Sequence, residues 1–193
     1  MTKSVAAAGT VGGSDRARLF CALQLADESV ACLAAWQSAA LTRGRIVPPG
    51  NLHITLAFLG HRPVAEVDAI FAELRAASAG AGEVALRVLR YRETRSVGMV
   101  VLEDVNGAAT ALAEDVQQRL ERLGVYRRER RPWLPHVTVL RFSSRAGLVP
   151  EPPNTCSIHV VRSALYRSVL GAGGARYAVL RTFSVETGAL GGR

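Results

Sequence analysis

The chain has 193 residues, 49% of them hydrophobic, and a formal net charge of +8. That length and composition exclude a disordered polypeptide and allow one substantial domain, or two small lobes sharing a core. No apolar run is long enough to span a bilayer as a helix, and residues 1–15 lack the apolar centre of a signal peptide and read as a disordered leader.

Lys3 is the sole lysine, so nearly all of the positive charge is arginine. The planar guanidinium suits phosphates and bases, and a basic chain is compatible with a polyanionic partner. A solvated basic surface without any partner fits the charge equally well. Cys21, Cys32 and Cys156 are odd in number and lack metal-ligand spacing. They read as buried free thiols of a cytoplasmic protein.

In chain order, residues 18–25 alternate Phe20, Ala22 and Gln24 against Leu19, Cys21 and Leu23, which predicts a strand. Asp27 is placed to cap a helix whose inner positions are Val30, Leu33, Ala34 and Trp36. Residues 43–51 carry Gly and Pro and read as a loop. A strand over 52–59 stops at Gly60. Pro63 opens a helix with Val67, Ile70, Phe71 and Leu74 inward. Strands follow over 84–91 and 97–102. Asn106 is placed to cap a third helix with Leu112, Val116, Leu120 and Leu123 inward, ended by Gly124. Residues 127–133 form a basic loop, and the next strand covers 135–140. After a Pro-rich loop, three strands are expected over 156–162, 164–170 and 176–185. Residues 187–193 read as a loose tail.

Within this pattern the tripeptide His-x-Thr occurs twice, as His53-Ile54-Thr55 and His136-Val137-Thr138. Random placement of the histidines and threonines gives about 0.2 such copies, so chance alone does not account comfortably for two. In a strand, residues i and i+2 share a face. Each motif therefore aims one imidazole and one hydroxyl the same way. The plain alternative is two half-buried strand histidines beside threonines favoured for β propensity.

The two segments Asn51-Leu52-His53-Ile54-Thr55-Leu56-Ala57-Phe58-Leu59-Gly60 and Pro132-Trp133-Leu134-Pro135-His136-Val137-Thr138-Val139-Leu140-Arg141 resemble the signatures of the 2H phosphoesterases. Within them they are most similar to the bacterial RNA 2′,3′-cyclic phosphodiesterases, also called 2′-5′ RNA ligases. Arg18-Leu19-Phe20 and Gly174-Ala175-Arg176-Tyr177 extend the similarity over about 16–186. The alanine-rich leader, and Cys21 where the family often has an aromatic, depart from it. The resemblance implies a single α+β domain over 16–186 with two pseudo-twofold lobes. Each lobe would be an antiparallel sheet backed by helices, with the active site in the cleft between the sheets. It also implies hydrolysis of 2′,3′-cyclic phosphate ends of RNA or nucleotides to 2′-phosphates, with the reverse 2′-5′ ligation, and no metal or cofactor.

Opening a cyclic phosphodiester with water requires a base and an acid on opposite sides of phosphorus, and histidine titrates near enough to neutrality for both. The resemblance implies His53 as acid to the 3′ oxygen and His136 as base for water. Thr55 and Thr138 would donate to the non-bridging oxygens. Arg141 matches the family's phosphate-contacting arginine. It lies five residues after His136, so an ideal strand would turn it away, and a bulge or the strand end must re-aim it. Phe20 is a base-stacking candidate or a core residue. Trp133 and the arginines of 127–131 could guide an RNA end. His61 and His159 read as structural. The rival readings are a phosphodiesterase for a small cyclic phosphate such as an ADP-ribose derivative, a non-catalytic RNA-binding module, and a structural domain with accidental motifs. No membrane or obligate protein partner is expected, and the chain is expected to be a monomer.

Overall fold

A computed structural model describes residues 15–171 and 174–185. The expected leader, apart from Asp15, and the tail lie outside the described residues. Among these residues three α-helices and eight strands follow the order β1 (Arg16–Leu25), α1 (Asp27–Ala40), β2 (Arg45–Ile46), β3 (His53–Pro63), α2 (Val67–Ala79), β4 (Leu86–Glu93), β5 (Val97–Asp104), α3 (Ala108–Arg122), β6 (His136–Arg141), β7 (Val160–Gly171) and β8 (Gly174–Ser184).

The strands run antiparallel in the order β4-β5-β6-β3-β1-β7-β8, with β2 also on β6. Each half holds four strands, one of which carries a His-x-Thr motif. Between the halves, β3 and β6 share a single bridge, Ile54 opposite Val137. The two sheets expected of two lobes are thus one curled sheet, pinched where the motifs meet. Ile54 and Val137 are fully buried, so the centre residues of both tripeptides form the hinge of the core while the flanking His and Thr face the other way.

Strand β1 shows why the core lies where it does. Leu19, Cys21 and Leu23 point into the main hydrophobic cluster, together with Leu33, Ile70, Leu74, Val116 and Leu120 from the helices. Phe20 and Ala22 point to the opposite face and join Ala164 and Tyr166 in a second, smaller cluster. The period-2 alternation is intact, but both faces are covered.

Several element limits differ from expectation. Asp27 is the first helical residue and not the cap, where Ala26 stands. Its carboxylate still complements the helix dipole. On α3 the cap is Gly107, at φ +77°, and its first-turn amides are satisfied from outside. Asp104 accepts from Thr110 N at 2.7 Å, and Asn106 Oδ1 accepts from Ala108 N at 3.2 Å. Leu123 falls outside the helix and is exposed, so it is not an inner residue. Strand β3 does not stop at Gly60. The glycine adopts φ +67° beside a register shift and the strand continues to Pro63. The strands expected over 156–162 and 164–170 are one strand, because Ser163 marks no turn. Its buried hydroxyl accepts from Ser78 Oγ of α2 at 2.7 Å.

The cysteine reading is corrected as well. Cys32 of α1 and Cys156 before β7 are disulfide-bonded, with Cα atoms 5.7 Å apart, and only Cys21 is free. The partners lie 124 residues apart, so no local spacing announces the pair. Burial pushes the Cys21 thiol up to about 12, which leaves it unreactive. Among the described residues no helix is long and apolar enough to cross a membrane. Replacing Cys32 and Cys156 together with serine is expected to destabilise the fold by roughly 2–4 kcal/mol, since the bond closes a long loop. Urea unfolding under oxidising conditions checks this; an unchanged midpoint would mean the link does not constrain the unfolded chain.

Candidate active site

Strands β3 and β6 carry the motifs in matching form. From the histidine onward, both read half-buried, buried, half-buried, buried, buried, exposed. Two adjacent buried residues in a strand break the alternation, and the pairing shows why. Opposite β1, Ala57 pairs with Cys21 and Thr55 with Ala22, which leaves Leu56 as an extra residue. Opposite β5, Leu140 pairs with Gly98 and Thr138 with Met99, which leaves Val139 as an extra residue. Both bulges sit three residues after the histidine. A bulge shifts strand parity by one. It brings the residue five places after each histidine back to the histidine's face: Phe58 on β3 and Arg141 on β6. Both line the same cavity as His53, Thr55 and Thr138, a space of about 380 Å³.

Each bulge is held by a buried glutamine from a helix. Gln117 Nε2 of α3 donates to Leu56 O at 2.9 Å. Gln37 Nε2 of α1 donates to Val139 O at 2.7 Å and to Val47 O at 3.1 Å. The clamps cross over. Helix α1 precedes β3 but grips β6, and α3 precedes β6 but grips β3. Gln37 is fully buried, and its Oε1 has no partner among the described residues. Such an unmet acceptor costs about 1–3 kcal/mol.

The histidines are anchored alike. His53 Nδ1 lies 2.8 Å from Asn51 O, and His136 Nδ1 lies 2.8 Å from Leu134 O. A carbonyl only accepts, so Nδ1 of each ring carries a proton and Nε2 is the nitrogen left for chemistry. His136 is half-buried and is not among the cavity's lining residues, but its charge acts on His53.

Aromatic rings surround His53. Phe20 lies 4.9 Å from its ring centroid, Tyr177 5.3 Å and Tyr166 5.8 Å. Phe20 also stacks on Tyr166 at 4.8 Å. It is therefore both a buried residue of the smaller cluster and part of the cavity wall. Burial pushes the His53 pKa down to about 4. The Asn51 contact works against that shift, and the charges of His136 and Arg141 add to it.

Arg141 ends β6 and reaches Tyr177 OH with Nη2 at 3.4 Å. Trp133 is not among the residues that line the cavity. Its Nε1–H donates to Thr55 O at 2.9 Å while the ring packs on the main core. Arg127, Arg128, Arg130 and Arg131 lie on an exposed loop, with Arg131 paired to Glu129. His61 is exposed on β3, and His159 precedes β7 with its backbone N–H donating to Ser29 Oγ. Residues that the sequence reading did not assign to the site include Phe58, Arg18, Arg45, Asn51 and Ser168. Phe58 is 47% exposed, with the Arg18 guanidinium 4.8 Å above its ring. The signal for Phe58 was its offset from His53, which equals that of Arg141 from His136. Asn51 Nδ2 donates to Ala175 O at 3.0 Å and ties the turn before β3 to β8. Among the described residues no group of three His, Cys, Asp or Glu stands where it could hold a metal ion.

Comparison with known proteins agrees with this arrangement. Residues 26–94 match the model of the LigT like phosphoesterases. The RNA 2′,3′-cyclic phosphodiesterase of Escherichia coli K12 is 30% identical over 182 residues, which cover 89% of this chain and 98% of that protein. The chain belongs to this phosphoesterase family. Solved relatives share the fold. E. coli LigT complexed with 3′-AMP superposes with a TM-score of 0.73 at 25% identity, covering 88% of this chain and 98% of that one. TT0787 of Thermus thermophilus gives 0.70 at 31% identity, with the same coverage. The α+β class and the family expected from the motifs hold.

If aromatic burial sets the His53 pKa, an NMR titration will find it near 4 in the wild type and raised toward 6.5 in Phe20→Ala. The neutral ring is the folded form, so this group's contribution to stability is fully present above about 6.5 and is lost as pH falls toward 4. That slope should shrink in Phe20→Ala. A wild-type value near 6.5 would contradict the burial account.

Proposed function

We propose that this chain hydrolyses 2′,3′-cyclic phosphate ends of RNA to 2′-phosphates, with His53 and His136 as the acid–base pair. The carrying observation is the matched construction of the two strands: an anchored imidazole with a free Nε2, a hydroxyl two residues on, and a bulge that returns the fifth residue to the same cavity. Water attacks phosphorus as one imidazole takes its proton. The bond to the ribose 3′ oxygen breaks, and the other imidazole supplies the proton that oxygen needs. Thr55 and Thr138 donate to the non-bridging oxygens, and Arg141 balances their growing negative charge. With a 5′-hydroxyl in place of water as the attacking group, the same displacement breaks the bond to the 3′ oxygen and leaves a 2′-5′ phosphodiester.

The low pKa of His53 bears on the roles. Free His53 is neutral at pH 7. To serve as acid to the 3′ oxygen it takes up a proton when substrate arrives, because the anionic phosphate offsets the Arg141 charge and the burial that disfavour the imidazolium. His136 is then the base for water. Phe20 and Phe58 offer ring faces to the terminal base. Trp133 supports Thr55 through its carbonyl, a positioning role rather than a substrate contact.

The test is hydrolysis of a short RNA ending in a 2′,3′-cyclic phosphate, in EDTA, with product identification. Wild type is expected to yield only the 2′-phosphate. His53→Ala and His136→Ala should each lose about 10²–10⁴-fold in kcat. Activity retained in either variant, or a 3′-phosphate product, would overturn the assignment.

A further inference from the structure

Beside the catalytic cavity lies a larger, open one of about 680 Å³. Its wall carries four arginines, Arg43, Arg45, Arg141 and Arg145, with Phe142 and Ser144 among the rest, and no carboxylate. Arg45 and Arg141 line both spaces, so the two adjoin. The catalytic cavity is near the lower end of the size range for small-ligand sites. One nucleotide with its cyclic phosphate suits it. The adjoining trench is larger again, and a mononucleotide would leave it unused.

The trench is built, and not a chance gathering of surface charge. Arg45 on β2 pairs with Arg141, the last residue of β6, which keeps the two side by side at that strand end. Arg45 also packs against Gly174, where any Cβ would collide with its guanidinium, and Gly174 adopts φ +103°. Arg145 leans on Glu93 with Nε at 3.5 Å from Oε2. The Glu93 side chain is only 1% exposed, and its carboxylate is held by the amides of Gly147 at 2.8 Å and Leu148 at 3.1 Å. The acid therefore fixes the loop that bears Arg145 and keeps its own charge out of the trench.

We infer that this trench binds the phosphodiester backbone of single-stranded RNA on the 5′ side of the terminal nucleotide, with Arg43 and Arg145 as its phosphate contacts. The inference rests on the phosphodiesterase reading for its direction. An RNA end leaves the catalytic cavity through the 5′ oxygen of its last nucleoside, and the adjoining trench offers the next phosphates four guanidinium groups with no carboxylate among them. Arginine forks match phosphate oxygens. The site would make the enzyme bind oligonucleotide ends more tightly than small cyclic phosphates.

Two measurements separate this inference from the reading beneath it. Hydrolysis of a 2′,3′-cyclic mononucleotide tests the chemistry alone. Binding of a labelled RNA tetramer with a non-cleavable 2′-deoxy 3′-phosphate end, followed by fluorescence anisotropy, tests the trench. In Arg43→Ser/Arg145→Ser, mononucleotide turnover should stay within about twofold of wild type. Tetramer affinity should fall by about tenfold or more, and the slope of log affinity against log salt should drop by about 1.4, or about 0.7 per lost phosphate contact. Arg43→Ser alone keeps the Glu93 pair and should give half the slope change. The double lysine variant should restore the slope, which a merely misfolded loop would not. Unchanged tetramer affinity and slope would overturn the trench. A wild type that does not hydrolyse the cyclic mononucleotide would overturn the chemistry, with the anisotropy result still deciding the trench.

Discussion

The Val139 carbonyl accepts two hydrogen bonds, from Gln37 Nε2 at 2.7 Å and from Val47 N–H at 3.0 Å. Both come from the α1 side of the chain, and both act on the extra residue of the bulge in β6. That bulge decides whether Arg141 faces the histidine or faces away. Without it, five residues of regular strand would turn the guanidinium to the opposite side. Gln117 does the same for Leu56 and so for Phe58. The cavity's polar equipment depends on two side-chain amides that never touch it.

The crossing of the clamps explains how two half-sheets joined by one bridge keep a fixed cleft. Each helix is connected by sequence to one motif strand and hydrogen-bonded to the other. Opening the cleft would strand the buried Leu56 carbonyl on one side and the buried Gln37 amide on the other, at about 1–3 kcal/mol apiece. Ile54 and Val137 add an apolar contact at the pivot. The same packing creates the chemistry's electrostatic setting. Phe20, Tyr166 and Tyr177 exclude water from His53, and the ring is left neutral until an anion enters.

Much of this was legible in the sequence. Alternation in residues 18–25 marked both faces of β1, and the helical faces around Leu33, Ile70 and Val116 were correctly aimed, because local periodicity decides them. The repeated His-x-Thr located the paired strands, and the parity conflict at Arg141 announced an irregularity. The position of that irregularity was not legible, since Leu56 and Val139 look like any strand residues and their bulges are set by Gln117 and Gln37 from distant helices. Buried glutamines read as surface residues in a helix pattern. The Cys32–Cys156 bond, the continuous strand through Ser163 and the inward use of the Trp133 N–H are also long-range facts. Each depends on a partner 78 or more residues away.

That Gln37 acts on the reaction through Arg141 is tested most directly by a double-mutant cycle. Steady-state hydrolysis of a cyclic phosphate substrate would be measured for Gln37→Leu, Arg141→Ala and the double variant, with each checked for folding. If the glutamine serves to aim the arginine, kcat/KM of the double variant will be close to that of Arg141→Ala alone. If the two losses multiply, Gln37 acts independently of Arg141, and the bulge clamp does not set the phosphate contact.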